Sequence, residues 1–81
     1  MRRPEPGESI VFTAYSLARL ALRRLSREEV EAVVRSPLII VRSELDPTGS
    51  VLTRTVGGRR ISVVMAPQGA RWVVLTAWEE F

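Results

Sequence analysis

The sequence predicts a two-layer α+β domain, in which two N-terminal helices pack on a four-stranded antiparallel sheet. Residues 14–35 contain no glycine or proline and hold two amphipathic patterns, each preceded by a residue that favours the start of a helix. After Pro37, runs of β-branched and apolar residues alternate with turn residues, which is typical of an antiparallel meander. A chain of 81 residues suffices for one such domain and excludes a two-domain enzyme.

The composition is that of a folded domain with a short arm. Hydrophobic residues make up 46% of the chain and charged residues 26%, a balance that excludes an intrinsically disordered chain. Residues 1–9 hold two prolines and a glycine but little that is apolar, so we expect a flexible N-terminal arm. A single domain is expected over residues 10–81, and a short extended piece over residues 10–12 opens it.

The first predicted helix follows Thr13, a favourable N-cap residue, and runs over residues 14–24. At about 100° per residue, its apolar side chains gather on one side and its polar side chains on the other. The side expected to face the core consists of Ala14, Leu17, Ala18, Ala21, Leu22 and Leu25. The side expected to face solvent consists of Tyr15, Ser16, Arg19 and Arg23.

The second predicted helix begins with a capping box formed by Ser26 and Glu29, each side chain bonding to the other residue's backbone N–H. This box accounts for the acidic first turn without a catalytic role. Three valines over residues 30–34 form the buried stripe, and the helix ends before Pro37.

Four strands are predicted after Pro37, with a two-residue turn at Gly57-Gly58, where glycine adopts the positive φ that such a turn requires. Alternation in the last strand places Trp72 and Trp78 on the same face. The helices cover one face of the sheet, so the other is exposed or reserved for a partner. The strands are expected over residues 38–45, 51–56, 60–66 and 71–78.

Cysteine and histidine are both absent from the chain. Disulfides, thiolate or imidazole catalysis, ordinary zinc sites and cysteine-ligated iron–sulfur clusters each require one of these side chains and are excluded. No glycine-rich loop opens a helix and no recognisable metal-binding loop is formed, so we expect neither a cofactor nor a metal. No apolar run reaches the length of about 20 residues that a membrane span requires. Because a secretory signal is also lacking, we expect a cytoplasmic location.

The net charge is +3, and every basic residue is an arginine. Two stretches without acidic residues, 9–27 and 47–78, carry four arginines each, and a strongly positive field is expected where they converge. Tyr15, Arg19 and Arg23 recur every four residues, so they rise along one side of the first helix as a strip suited to a phosphate backbone.

Two segments of the chain resemble one protein family. Residues 12–30 read Phe-Thr-Ala-Tyr-Ser, then Arg19 and Arg23, then Leu-Ser-Arg-Glu-Glu-Val. This resembles a family of small bacterial domains of unknown function that opens with Phe-Thr-x-His-Ala, two arginines at this spacing and Ile-Ser-x-Glu-Glu-Val. Residues 73–78 look like the family's closing Val-Val-Thr-Ala-Tyr strand. The family is similar in size and element order to the RelE/ParE-like toxins of toxin–antitoxin pairs and to the BrnT toxins.

The resemblance implies a RelE/ParE-like fold and a toxin-like protein of a toxin–antitoxin-type system, acting as a metal-independent RNA-cleaving or RNA-binding domain. Such cleavage needs a positioned 2′-hydroxyl, cationic stabilisation of developing charge and a proton donor. The expected catalytic residues are Tyr15, Arg19 and Arg23. The residues expected to bind nucleic acid are Arg19, Arg23, Arg59 and Arg60. The expected partners are an antitoxin protein, RNA and a second copy of the chain.

The sequence leaves two alternatives open. Tyr15 stands where the family has its histidine, and a tyrosine is a poor general base at neutral pH. The chain is therefore either an endoribonuclease of the RelE type or a non-catalytic protein-binding module, meaning a ParE-like inhibitor or an inactive toxin relative. Nonspecific nucleic-acid binding is a third possibility, and its affinity would fall steeply with salt. Similarly, Arg19 and Arg23 either contact a ligand, or solvate a helix face, or pair with Glu44, Asp46 or the terminal acids.

Overall fold

The computed structural model describes residues 3–81, in which two helices pack on one face of a five-stranded sheet. Residues 1 and 2 of the predicted arm lie outside the described residues. The helices are α1 (Ala14–Leu22) and α2 (Arg27–Arg35). The strands are β1 (Ser9–Phe12), β2 (Ile39–Arg42), β3 (Ser50–Val56), β4 (Arg59–Gln68) and β5 (Arg71–Glu80).

The strand order is β1-β5-β4-β3-β2, with β2 to β5 antiparallel and β1 parallel to β5. The α+β class is confirmed, but the prediction of four strands in an all-antiparallel sheet is wrong. The short extended piece predicted over residues 10–12 is a fifth strand, because its backbone pairs with residues 71–74. A parallel pairing between such distant segments involves no hairpin turn, so no local signal marks it.

Both helices begin as the sequence predicts. The Ser26 hydroxyl accepts from the Glu29 backbone N–H at 3.0 Å, and the Glu29 carboxylate accepts from the Ser26 N–H at 2.8 Å. Thr13 and Ser16 form the same reciprocal arrangement at the start of α1. Ser16 therefore faces inward and is fully buried, although we expected it on the solvent side.

Helix α1 ends in a left-handed residue that is not glycine. The Leu25 N–H donates to the Leu20 carbonyl at 2.9 Å and the Arg24 N–H to the Ala21 carbonyl at 3.2 Å, which together form a Schellman motif. Arg24 occupies its left-handed position, with a φ of 55°. Glycine adopts this conformation freely, whereas a residue with a Cβ atom is strained by roughly 1–2 kcal/mol.

The main core lies between the helices and one face of the sheet. Its fully buried members include Val30, Val33 and Val34 of α2, as predicted, packed with Leu52 and Ile61 of the sheet. No helix within residues 3–81 covers the opposite sheet face, which we call the open face.

A bulge in β5 separates the two tryptophans. Val74 pairs with Met65 and Thr76 with Val64, so Leu75 has no opposite residue and the alternation of side chains shifts by one. Trp72 is fully buried in the core, whereas Trp78 pairs with Ser62 on the open face. The prediction that both tryptophans share a face is therefore wrong.

Helix α1 packs with the opposite orientation to the one predicted. Within it, Ser16 and Leu20 are buried against β5, while the expected core stripe faces solvent over residues 14–22. The reason is that the capping box turns Ser16 inward, and the helix lies against a sheet edge where polar contacts are made. The last member of the stripe, Leu25, follows the helix and is buried as predicted. The exposed residues, which we call the α1 outer face, are Ala14, Leu17, Ala18, Ala21 and Leu22.

Part of the predicted N-terminal arm contacts the domain. Pro4 is buried, and Arg35 donates to the Glu5 and Glu8 carbonyls. The Trp72 indole N–H donates to the Glu8 carboxylate at 3.2 Å. The flexibility of the arm stays a prediction.

We expect Arg24→Gly to raise the free energy of unfolding by about 1 kcal/mol, because glycine relieves the left-handed strain that a Cβ atom introduces. Chemical denaturation of the variant and of the wild type measures this change. Ala18→Gly is the matched control, since it places glycine in ordinary helix on the exposed side of α1 and should lower stability by about 1 kcal/mol. An Arg24→Gly variant less stable than the wild type would contradict the strain argument.

Candidate functional site

Tyr15 and Arg19 form an exposed pair on α1. The Arg19 Nε–H donates to the Tyr15 hydroxyl at 3.0 Å, and the guanidinium carbon lies 5.1 Å from the centre of the phenol ring. Tyr15 is 60% exposed. Both groups are therefore accessible, and they are held together by a hydrogen bond and a cation–π contact.

Arg23, the third member of the predicted strip, contacts the sheet. Its Nη1 donates to the Thr76 hydroxyl at 2.9 Å and to the Ala77 carbonyl at 2.8 Å. Because β1 pairs with β5 only as far as Val74, Ala77 lies on a part of β5 that β4 covers on one side and β1 leaves open on the other. Arg23 is exposed as predicted, but its guanidinium does more than solvate the helix, since it satisfies an edge carbonyl.

Arg59 is held between two carboxylates, an arrangement that we call the Arg59 clasp. Its guanidinium lies 3.2 Å from the Glu29 carboxylate and 2.9 Å from that of Glu79, and it also donates to the Arg24 carbonyl at 3.0 Å. The hydrogen bond to Glu79 is the main cause that raises the pKa of Arg59. The clasp joins β4 and β5 to α2 and to the end of α1, so Arg59 has a structural role beside any contact with nucleic acid.

Arg60 lies on the other face of the sheet. It is exposed and pairs in the ladder with Glu80, whose carboxylate accepts from the Ser62 hydroxyl at 2.8 Å. Because adjacent residues of a strand point to opposite faces, Arg59 and Arg60 do not form one basic patch. The structure thus brings Arg59 to the end of α1 and leaves Arg60 apart from the strip.

The end of α1 is nevertheless strongly basic. Both ion pairs formed within residues 3–81 involve Arg59, so the four arginines of the segment 19–27 have no acidic partner there. Arg27 lies 4.8 Å from the centre of the Phe12 ring, a second cation–π contact. The two basic stretches meet here, because Arg59 donates to the Arg24 carbonyl and Arg23 donates to Thr76 and Ala77.

The sequence analysis missed an apolar surface beside these arginines. Leu22 is 76% exposed on the α1 outer face and lines a cleft of about 330 Å³, which we call the α1 cleft. Phe81 is fully exposed at its rim. The sequence does show that this side of α1 carries no charge, which could have indicated a binding surface. The same pattern is typical of a helix side that is buried in the core. The cleft is lined by Leu22, Arg23, Arg24, Trp78, Glu79 and Phe81.

Residues 3–81 contain no group of three acidic side chains placed to hold a metal ion. Helices α1 and α2 have nine residues each, and the described part of the chain has no helix long and apolar enough to cross a membrane.

The chain matches one family of known sequences. The model of the family described as Domain of unknown function (DUF4258) matches residues 7–79. The expected resemblance to a family of small domains of unknown function is confirmed by this match. Neither the curated proteins nor the solved structures contain a match to the chain.

We expect Arg23→Ala to lower the free energy of unfolding by about 1 kcal/mol, because two charge-assisted hydrogen bonds to β5 are lost at a solvent-accessible site. Arg19→Ala, the matched control on the same helix, should change it by less than about 0.5 kcal/mol. Equilibrium denaturation measures both. Equal effects of the two substitutions would show that the Arg23 contacts do not stabilise the fold.

We expect the Arg59 clasp to make stability fall in acid. The hydrogen bond from the Ser26 backbone is the main cause that lowers the pKa of Glu29, and Arg59 lowers it further. A lowered pKa in the folded state stabilises the protein above the ordinary pKa of glutamate, and this contribution is lost as the pH falls through the folded value.

Melting temperatures measured from neutral to acidic pH check this expectation. Glu29→Gln keeps a capping side chain but cannot ionise, so its acid-induced loss should be smaller than that of the wild type. Glu28→Gln, outside the clasp, is the control. If the melting temperature of Glu29→Gln depended on pH as that of the wild type does, the ionised Glu29 carboxylate would not be a source of the stability lost in acid.

Proposed function

The chain belongs to the DUF4258 family of small domains of unknown function, and we propose that it is a non-catalytic protein-binding module, a toxin-like inhibitor that covers part of another protein. The observation that carries this proposal is the α1 outer face. An exposed, uncharged helix side next to an apolar cleft is typical of a surface that a protein partner covers.

The charges around this surface indicate the chemistry of the partner. Arg19 flanks the outer face, and Arg23 and Arg24 line the α1 cleft, none of them paired with an acid within residues 3–81. Glu79 also lines the cleft, but Arg59 compensates its charge. The surface therefore suits a partner that presents apolar side chains together with carboxylates, such as an acidic amphipathic helix.

The backbone at Arg24 supports the proposal independently. A non-glycine residue in the left-handed region is strained, and such strain is found preferentially at functional sites. Glycine would cap α1 with less strain, yet it would remove a guanidinium from the cleft. This combination favours a role for the Arg24 side chain in binding.

The arrangement around Tyr15 favours binding over catalysis. In the strip, Tyr15 carries the one hydroxyl, and its oxygen already accepts a hydrogen bond from Arg19. Arg23 is bonded to β5. A RelE-type reaction would need Arg23 free to stabilise developing charge, at the expense of a bond that stabilises the fold.

A second candidate function is RNA binding or cleavage of the RelE type. It is supported by the exposed Tyr15 ring with a guanidinium beside it, because such a pair can stack on a base and contact a phosphate. The assignment to the RelE/ParE-like fold belongs to the same proposal. It is supported by the order of two helices followed by an antiparallel meander.

Growth of bacteria after induced expression separates the two candidates. An inhibitor that binds through the α1 outer face should arrest growth as wild type and as Tyr15→Phe, while Leu22→Asp should restore growth by placing a charge in the apolar contact. Leu22→Met is the matched control and should still arrest growth. Protein levels and melting temperatures are compared across the variants.

The state of cellular RNA completes this experiment. Degraded RNA after expression of the wild type, together with restored growth in Tyr15→Phe, would contradict the binding module and support the endoribonuclease. Continued growth with the wild type at a matched protein level would contradict an inhibitor of an essential protein.

A further inference from the structure

Strand β2 forms an exposed edge of the sheet. The strand order ends at β2, and within residues 3–81 no strand lies beyond it. Leu38, Ile39 and Val41 are 76%, 43% and 48% exposed. β2 contains no proline or bulge, two of the devices by which proteins protect an edge from pairing with another strand.

An apolar groove adjoins this edge on the open face. Val41 and the exposed Leu45 line it together with Val51, Val64 and Trp78, and its volume is about 340 Å³. The side chains that a partner strand would cover are therefore continuous with the open face. An added strand would bury apolar surface as well as satisfy backbone groups.

We propose that β2 pairs with β2 of a second copy, antiparallel and about a two-fold axis, so that the sheet continues across the dimer. In such a pair, residues directly opposite each other must lie on the same face of the joined sheet. An axis at Ile40 fulfils this condition: Ile40 meets its own copy, and Ile39 meets Val41 of the second copy on the open face.

The charges along β2 match this antiparallel arrangement. At the start of the strand, the Arg54 guanidinium donates to the Ser36 carbonyl at 2.9 Å. Beyond its end, Glu44 and Asp46 outnumber Arg42. A two-fold axis brings the positive start of one copy beside the negative end of the other, at both ends of the contact.

The same reasoning excludes the end of α1 as the dimer contact. Its arginines have no acidic partner within residues 3–81, so two such surfaces facing each other would repel. Of the β2 edge and the end of α1, only the β2 edge is complementary to a second copy of itself. The dimer does not depend on the proposed function, because a different surface carries it.

Sedimentation equilibrium over a range of protein concentrations tests the dimer. We expect a reversible monomer–dimer equilibrium and, for Ile39→Lys, a dissociation constant higher by about tenfold or more, because a lysine would lie in the apolar contact. Leu22→Lys, an exposed leucine on the α1 outer face, is the matched control and should leave the equilibrium unchanged. A wild type that remains monomeric at millimolar concentration, or an Ile39→Lys variant that dimerises normally, would overturn the proposal.

The proposed register has its own test, since the chain contains no cysteine. Ile40→Cys should form an intermolecular disulfide under mild oxidation, because directly opposite residues in antiparallel strands lie within disulfide distance. Leu22→Cys is more exposed and reports random collision. Cross-linking no faster in Ile40→Cys than in Leu22→Cys would overturn the register.

Charge reversal keeps the dimer testable if Ile40→Cys fails to fold. Arg54→Glu and Glu44→Arg should each weaken the dimer, and the double variant should restore it, because the two-fold axis brings the reversed charges together again. Additive losses in the double variant would count against the arrangement. Melting temperatures check that each variant is folded.

Discussion

The pairing of β1 with only the first part of β5 is the constraint on which the rest of the structure depends. The register runs from Ser9 beside Arg71 to Phe12 beside Val74, and there the chain leaves the sheet through the Thr13 capping box. Helix α1 is thereby placed along the part of β5 that β1 does not cover. Polar contacts are needed at such an edge, because strand carbonyls would otherwise lack partners.

This placement explains why α1 shows its apolar side to solvent. Ser16 is small enough to let the helix approach β5, and Leu20 supplies the apolar contact, while Arg23 reaches the Ala77 carbonyl. A helix held in this way needs little of its apolar side for the fold. The β5 bulge at Leu75 has a related effect, because it sends Trp78 to the open face and leaves Trp72 in the core.

The sequence predicted the features that short-range interactions decide. The Ser26 box, the buried valines of α2 and the Gly57-Gly58 turn, with φ values of 58° and 80°, all occur where expected. Prediction from the sequence failed where contacts between distant segments of the chain determine the structure. Periodicity shows that α1 has an apolar side, but whether this side faces the core depends on β1 and β5, which are far apart in the chain.

The candidate site shows the same division. Spacing alone put Tyr15, Arg19 and Arg23 on one helix side, and Tyr15 and Arg19 are indeed in contact. The availability of each arginine depends instead on which carbonyl or carboxylate lies within reach. Arg23 and Arg59 find such partners in β5 and α2, and only the tertiary structure brings them together. No sequence pattern distinguishes a basic residue that finds a partner from one that does not.

The α1 outer face and the β2 edge lie on different sides of the sheet, since α1 packs on β5 next to β1 and the strand order ends at β2. Trp78 lines both the α1 cleft and the groove beside β2, but it belongs to neither the outer face nor the edge, so occupation of one leaves the other accessible. A dimer joined through β2 would present two α1 outer faces, one at each outer end of the joined sheet. A partner that carries two acidic amphipathic segments would then bind both copies, and the second contact would gain from the high effective concentration that the first creates. Weak contacts of a nine-residue helix would in this way give a stable complex, which a monomer with the same surface would not form.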